Sequence, residues 1–145
     1  MGAITAVVSK KNKNVAKTAV TMLKMSKHKS AETFGLASPT TVTIRKSIEE
    51  LQAPSSPILI GNAFSKILMS DKPQPIKFHE GTFVFEGRIY SLDTERSSME
   101  LVTAKLNQSL ENADAIIKDF EGDFAFAVAE SGRLMAGRDS LGLYP

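Results

Sequence analysis

Glu121-Gly122-Asp123-Phe124-Ala125-Phe126-Ala127-Val128-Ala129 alternates large and small side chains. In an extended chain, successive side chains point to opposite faces. Phe124, Phe126 and Val128 therefore share one face, while Ala125, Ala127 and Ala129 share the other. One face fills a core, and the other admits a closely packed layer. Ser131-Gly132 turns the chain into a second strand from Arg133 to Gly137, and Arg138-Asp139-Ser140-Leu141-Gly142-Leu143-Tyr144-Pro145 follows.

Upstream, Ala3 to Val8 is a short apolar run that reads as a buried strand, ended by Ser9 and the lysines after it. Val15, Ala19, Met22 and Leu23 recur at helical spacing, which predicts an amphipathic helix over 14–26 with Asn12 or Asn14 as its cap. Short strands are predicted at Thr33 to Leu36, Thr40 to Ile44 and Ile58 to Ile60, the last after the Pro54-Ser55-Ser56-Pro57 breaker. Phe83-Val84-Phe85 leads through Gly87 into Ile89-Tyr90, a strand whose glycine suggests close backbone approach. Ser97-Ser98-Met99-Glu100 has the form of a capping box ahead of a helix that buries Met99, Val102 and Leu106. A second helix over 110–120 is expected to bury Ile116 and Ile117. Strands followed by helices and further strands, without strict alternation, favour an α+β fold with antiparallel sheets.

At 145 residues and 42% hydrophobic, the chain fits one domain with a real core. The absence of cysteine excludes disulfides, thiolate metal sites and a cysteine nucleophile. No signal-peptide pattern and no stretch of membrane-spanning length is present, so a cytoplasmic protein with no membrane contact is expected. Net charge is +2, but seven lysines from Lys10 to Lys29 precede the first acid, Glu32. With no aromatic or arginine interleaved, that run reads as a solvated helix face in preference to a track for nucleic acid. His28 and His79 lack a third ligand at suitable spacing, so no metal site and no cofactor are expected.

The closing Phe-Ala-Phe-Ala and Arg-Asp-x-Leu-Gly-x-x-Pro motifs resemble those of the class II glutamine amidotransferase domain that begins asparagine synthetases. Further landmarks come in that family's order. His28-Lys29-Ser30-Ala31-Glu32-Thr33-Phe34-Gly35 stands where the family has HRGPDxxG, Lys72-Pro73-Gln74-Pro75 where it has GHQP, and Val84-Phe85-Glu86-Gly87-Arg88-Ile89-Tyr90-Ser91 where it has VxNGEIYN. The resemblance implies an N-terminal-nucleophile hydrolase fold, a four-layer αββα sandwich of two mostly antiparallel sheets. Within it the Ala3 to Val8 strand is expected beside the Gly122 to Ala129 strand, with Ile4, Phe124, Phe126 and Val128 buried on the inner faces. It also implies one glutamine amidotransferase-like domain over 1–145. In the family the chain runs on into further strands and an ATP-using synthetase domain, so this one is expected to be truncated at its C-terminal end.

The resemblance also says where chemistry would lie. The family's nucleophile is a cysteine that becomes the first residue of the mature chain and uses its own α-amine as base; Gly2 stands there. Phe64 falls on the arginine that holds the substrate carboxylate, with Lys66 nearby. Glu86 replaces the oxyanion-hole asparagine, Gly87 is kept, and Arg88 replaces the glutamate of the same motif. Ser98 falls on the aspartate that receives the substrate ammonium, while Glu100 is kept. No catalytic residue is retained, and the substrate-pocket positions are Phe64, Glu86, Gly87, Arg88 and Ser98. Arg138-Asp139 reads as a structural ion pair.

Two functions follow. One is a degenerate glutaminase domain kept as a binding, regulatory or oligomerisation module of an asparagine-synthetase-like protein, with a homodimer, a synthetase domain or subunit and a small-molecule ligand as its partners. The other is an active amidohydrolase whose native cysteine at position 2 has been replaced. A homodimer is expected because a sheet without its usual neighbour leaves an edge open to pairing.

Overall fold

The computed structural model describes residues 2–26, 31–90, 96–108 and 118–143. Eight strands and two helices follow one another as β1 (Ala3–Val8), α1 (Ala16–Met25), β2 (Thr33–Ala37), β3 (Val42–Arg45), β4 (Ile58–Phe64), β5 (Ile76–Phe78), β6 (Gly81–Ile89), α2 (Ser98–Gln108), β7 (Gly122–Glu130) and β8 (Arg133–Arg138). They form two four-stranded sheets of order β1-β4-β2-β3 and β5-β6-β7-β8, with every pairing antiparallel. The fold is α+β, as the sequence predicts. The expected helix over 110–120, with Ile116 and Ile117, falls largely outside the described residues, as does His28.

Three apolar clusters define four layers. Ala19 and Leu23 of α1 pack on Phe34, Leu36, Leu59 and Ala63 of the first sheet. Met99, Val102 and Leu106 of α2 pack on Phe83, Phe85, Phe124 and Val128 of the second. Between the sheets lie Ala37, Ile58, Ile60, Val84, Ala127 and Ala129, flanked by Ile4, Ala6 and Leu134. The order is therefore α1, first sheet, second sheet, α2.

This arrangement corrects one expectation. Ile4 does face the opposing sheet, but Phe124, Phe126 and Val128 do not: they lie under α2, and the alanine face of β7 meets the other sheet. Here the alanine row of β7 complements the larger Ile58 and Ile60 between the sheets, and the phenylalanines go to the face that α2 covers. β1 and β7 are accordingly not hydrogen-bonded neighbours but meet across the interface between the sheets. Thr82 Oγ1 donates to the carbonyl oxygen of Ser38 at 2.8 Å, a polar tie across that layer.

Local chemistry follows the sequence closely at α2. Glu100 N–H donates to Ser97 Oγ at 3.2 Å, and Ser97 N–H donates back to Glu100 Oε2 at 3.0 Å, the reciprocal bonds of a capping box. At α1 the residue preceding the helix is Val15, and Asn14 acts from one position further back by accepting from Ala16 N–H and Ser56 N–H. Gln74 clamps the second sheet: its amide donates to the Phe85 carbonyl and accepts from the Phe85 N–H, each at 2.7 Å. Asp139 is buried and its carboxylate accepts from the backbone of Phe124, Leu141 and Leu143, which folds the chain back after β8. Arg138 beside it is exposed.

Two outcomes test this packing. Ala127 is fully buried between the sheets, so Ala127→Leu should destabilise the fold by about 1–3 kcal/mol, whereas Ala136→Leu, on an exposed position, should leave the unfolding midpoint nearly unchanged. Ser97→Ala removes the helix cap and should cost about 1 kcal/mol in urea unfolding. The bond from Ser97 N–H and the neighbouring Lys72 ammonium hold the Glu100 carboxyl below its ordinary value. A lowered folded-state pKa makes this contribution complete above the glutamate range of about 4.3 and lost as pH falls through the folded value. The stability difference between wild type and Glu100→Gln should therefore shrink on acidification from neutral pH.

Candidate functional site

β4 is buried at all seven positions and runs through the middle of the first sheet. Its side chains alternate: Leu59 and Ala63 turn to α1, while Ile58 and Ile60 turn to the opposing sheet. Asn62 continues that second row, an amide where the pattern would take another isoleucine. It is completely buried, and its Nδ2 donates to Glu86 Oε1 at 2.9 Å and more weakly to the Ala3 carbonyl at 3.4 Å. Its Oδ1 has no hydrogen-bond partner among the described residues. An unmet buried acceptor costs about 1–3 kcal/mol.

Glu86 reaches this point from the opposite sheet. On β6, Phe83 and Phe85 face α2 and Val84 faces the first sheet, so Glu86 also faces inward by alternation. Its Oε2 accepts from the Gly2 backbone N–H at 3.2 Å. One carboxylate thus joins the start of β1, the end of β4 and the middle of β6. Gly2 is buried, and a Cβ built on it would lie 1.9 Å from Glu86 Oε1 and 2.4 Å from the carboxyl carbon. The carboxylate occupies the space that any side chain at position 2 would need.

Around this point lies a cleft of about 300 Å³. Phe64, Glu86, Gly87, Arg88 and Ser98 all line it, so the positions singled out from sequence converge in space. Lys66 does not line it and is exposed. Gly87 has φ of 123°, and a Cβ there would lie 2.1 Å from the Asp123 carbonyl oxygen, so the backbone geometry and the close approach of β7 both require glycine. Ser98 Oγ accepts from Ile89 N–H at 2.9 Å and fastens the start of α2 to the end of β6. Arg88 donates to Asp71 Oδ2 at 3.4 Å, and the same oxygen accepts from Ile67 N–H and Leu68 N–H at 3.1 and 2.8 Å. Asp71 therefore fixes both its loop and the guanidinium.

Asn62, Asp71 and Asp123 are the contributors that sequence reasoning missed. Asn62 carries a readable signal, an amide in register with two inward isoleucines; Asp71 and Asp123 reach the cleft only through tertiary folding. Asp123 Oδ1 accepts from the Tyr90 hydroxyl at 2.7 Å. That bond and the carboxylates nearby push the exposed Tyr90 phenol above its ordinary value. The described lining holds no histidine and no thiol. Of its charged groups, Arg88 pairs with Asp71 and Lys72 with Glu100, while Glu86 accepts from Gly2 and Asn62 and Asp123 accepts from Tyr90. No group of three metal-ligating side chains occurs among the described residues. No helix among them is long and apolar enough to cross a membrane.

No family model matches the sequence, and no curated protein matches it. Among solved structures, the chain is similar to the glutamine phosphoribosylpyrophosphate amidotransferase of B. subtilis, determined in complex with ADP and GMP, with a TM-score of 0.73 and 14% identity. The match covers the whole of this chain and 38% of that one. The chain thus shares the fold of that part of the amidotransferase, an α+β sandwich of two antiparallel sheets between helices.

Proposed function

We propose that this chain is a degenerate glutaminase domain that has lost hydrolysis and serves as a binding, regulatory or oligomerisation module of an asparagine-synthetase-like protein. The observation that carries this reading is the Glu86 carboxylate lying where a side chain at position 2 would begin. A nucleophile there would have to displace it. It would also act beside a negative charge at the point where an oxyanion must develop; loss of one oxyanion donor alone costs about 10²–10³ in rate. The other positions agree. Phe64 is an apolar wall that offers nothing to a substrate carboxylate, Ser98 Oγ is engaged with the backbone, and Arg88 is tied to Asp71. What remains is a small cleft with aromatic walls and mixed charge, which supports retention of a small-molecule ligand.

Glutamate release by the Gly2→Cys variant, with loss of the initiator methionine verified by mass spectrometry, tests the proposal. Several missing parts that act as a unit are not restored by one of them, so no more than trace turnover is expected. Turnover in the common enzyme range of about 1–10³ per second would overturn the proposal and establish the alternative, an amidohydrolase whose native cysteine has been replaced.

A further inference from the structure

The two halves of the sandwich differ in charge. Residues 1–64, which supply α1 and the first sheet, carry nine basic and three acidic side chains, whereas residues 65–145, which supply the second sheet and α2, carry nine basic and thirteen acidic. Residues 2–26 contain no acid at all. Lys10, Lys11, Lys13, Lys17 and Lys24 are exposed there, and none of their ammonium groups makes a hydrogen bond or ion pair among the described residues. Ala19 and Leu23 turn the apolar stripe of α1 onto the first sheet. Lys17 and Lys24, two helical turns on, therefore share the outward face at a spacing of about 10 Å. Lys10, Lys11 and Lys13 continue the positive surface past the start of the helix, on a turn that is held in place: Ser9 N–H donates to the Pro57 carbonyl at 2.8 Å and Lys13 N–H to Ser9 Oγ at 3.0 Å. Glu49 and Glu50 lie between Ile48 and Leu51 of the apolar cluster under α1, and Arg45 and Lys46 just before them offset their charge.

We infer that this basic face of α1 and the turn before it binds duplex DNA through the phosphate backbone, without reading its sequence. A row of free ammonium groups neutralises successive phosphates and releases their counterions. Residues 2–26 hold no arginine and no aromatic, which removes bidentate base reading and stacking on a single strand but leaves backbone contact intact. A lipid surface fits less well: the apolar stripe of α1 is used in the core, and Met22 and Met25 are the large apolar side chains it leaves exposed. The major groove of B-form DNA is wide enough to admit a helix, whereas that of an RNA duplex is not. The excess of acid in the other half of the chain repels the same polyanion, so one face is used. None of these lysines lines the cleft, so the inference goes beyond the function proposed above and stands or falls separately from it.

Fluorescence anisotropy of a labelled DNA duplex tests it. With about four phosphates neutralised, the logarithm of the binding constant should fall against that of salt with a slope of about −4, or about a hundredfold between about 50 and 200 mM. A duplex of unrelated sequence should bind equally well, and an RNA duplex of the same length more weakly. Lys17→Gln with Lys24→Gln should flatten the slope by about 2. Lys77→Gln with Lys105→Gln, which removes the same charge from the second-sheet half, should leave it unchanged. All four positions are exposed, so the circular dichroism spectrum should match wild type in both variants. Vesicles of phosphatidylserine and phosphatidylcholine should not sediment the protein. No duplex binding at low salt, equal losses from the two double variants, tighter binding to the RNA duplex, or sedimentation with the vesicles would overturn the inference.

Discussion

The two sheets can pack face to face only because the surfaces between them are made of small and β-branched side chains. Ala127 and Ala129 of β7 and Ala37 of β2 are fully buried there, with Val84, Ile58 and Ile60 filling the remainder. Interiors pack at crystal-like density, so this choice sends every large aromatic of the second sheet to its other face. There Phe83, Phe85 and Phe124 need the cover that α2 gives them. The helix in turn depends on its capping box and on Ser98, whose hydroxyl holds its first turn to the end of β6.

The same constraint places the cleft. Along the inward row of β6, Thr82 and Val84 belong to the closed part of the interface, whereas Glu86 and Arg88 reach the end where the sheets part. A carboxylate at that boundary is acceptable because it is paired on arrival: the Gly2 N–H and the Asn62 amide both donate to it. Buried charge without such partners would be prohibitively costly. Glu86 thus ties both sheets together, and its carboxylate lies where a side chain at position 2 would begin.

Much of this was legible in the sequence because the informative features are local. The alternation at 124–129, the Ser97-x-x-Glu100 box and the Ser131-Gly132 turn each act within a few residues, and each forms as expected. The glycine at 87 announced a close approach, and Asp123 supplies it. Which face of β7 looks inward was not legible, because alternation defines two faces without saying which meets a sheet and which a helix; relative side-chain size decides that. The role of Asn62 was not legible for a different reason. Its importance lies in a carboxylate 24 positions away that enters from the other sheet, and no local pattern announces such a partner.

The central claim is that the Glu86 carboxylate governs the environment of position 2, and a thiol placed there measures that environment directly. The Gly2→Cys variant would carry the chain's only cysteine, so its alkylation rate as a function of pH reports a single group. A neighbouring carboxylate disfavours the thiolate, so the apparent pKa should lie above the free value of about 8.5 and fall when Glu86 is also changed to Gln. A thiol that ionises well below the free value with Glu86 in place would contradict the account.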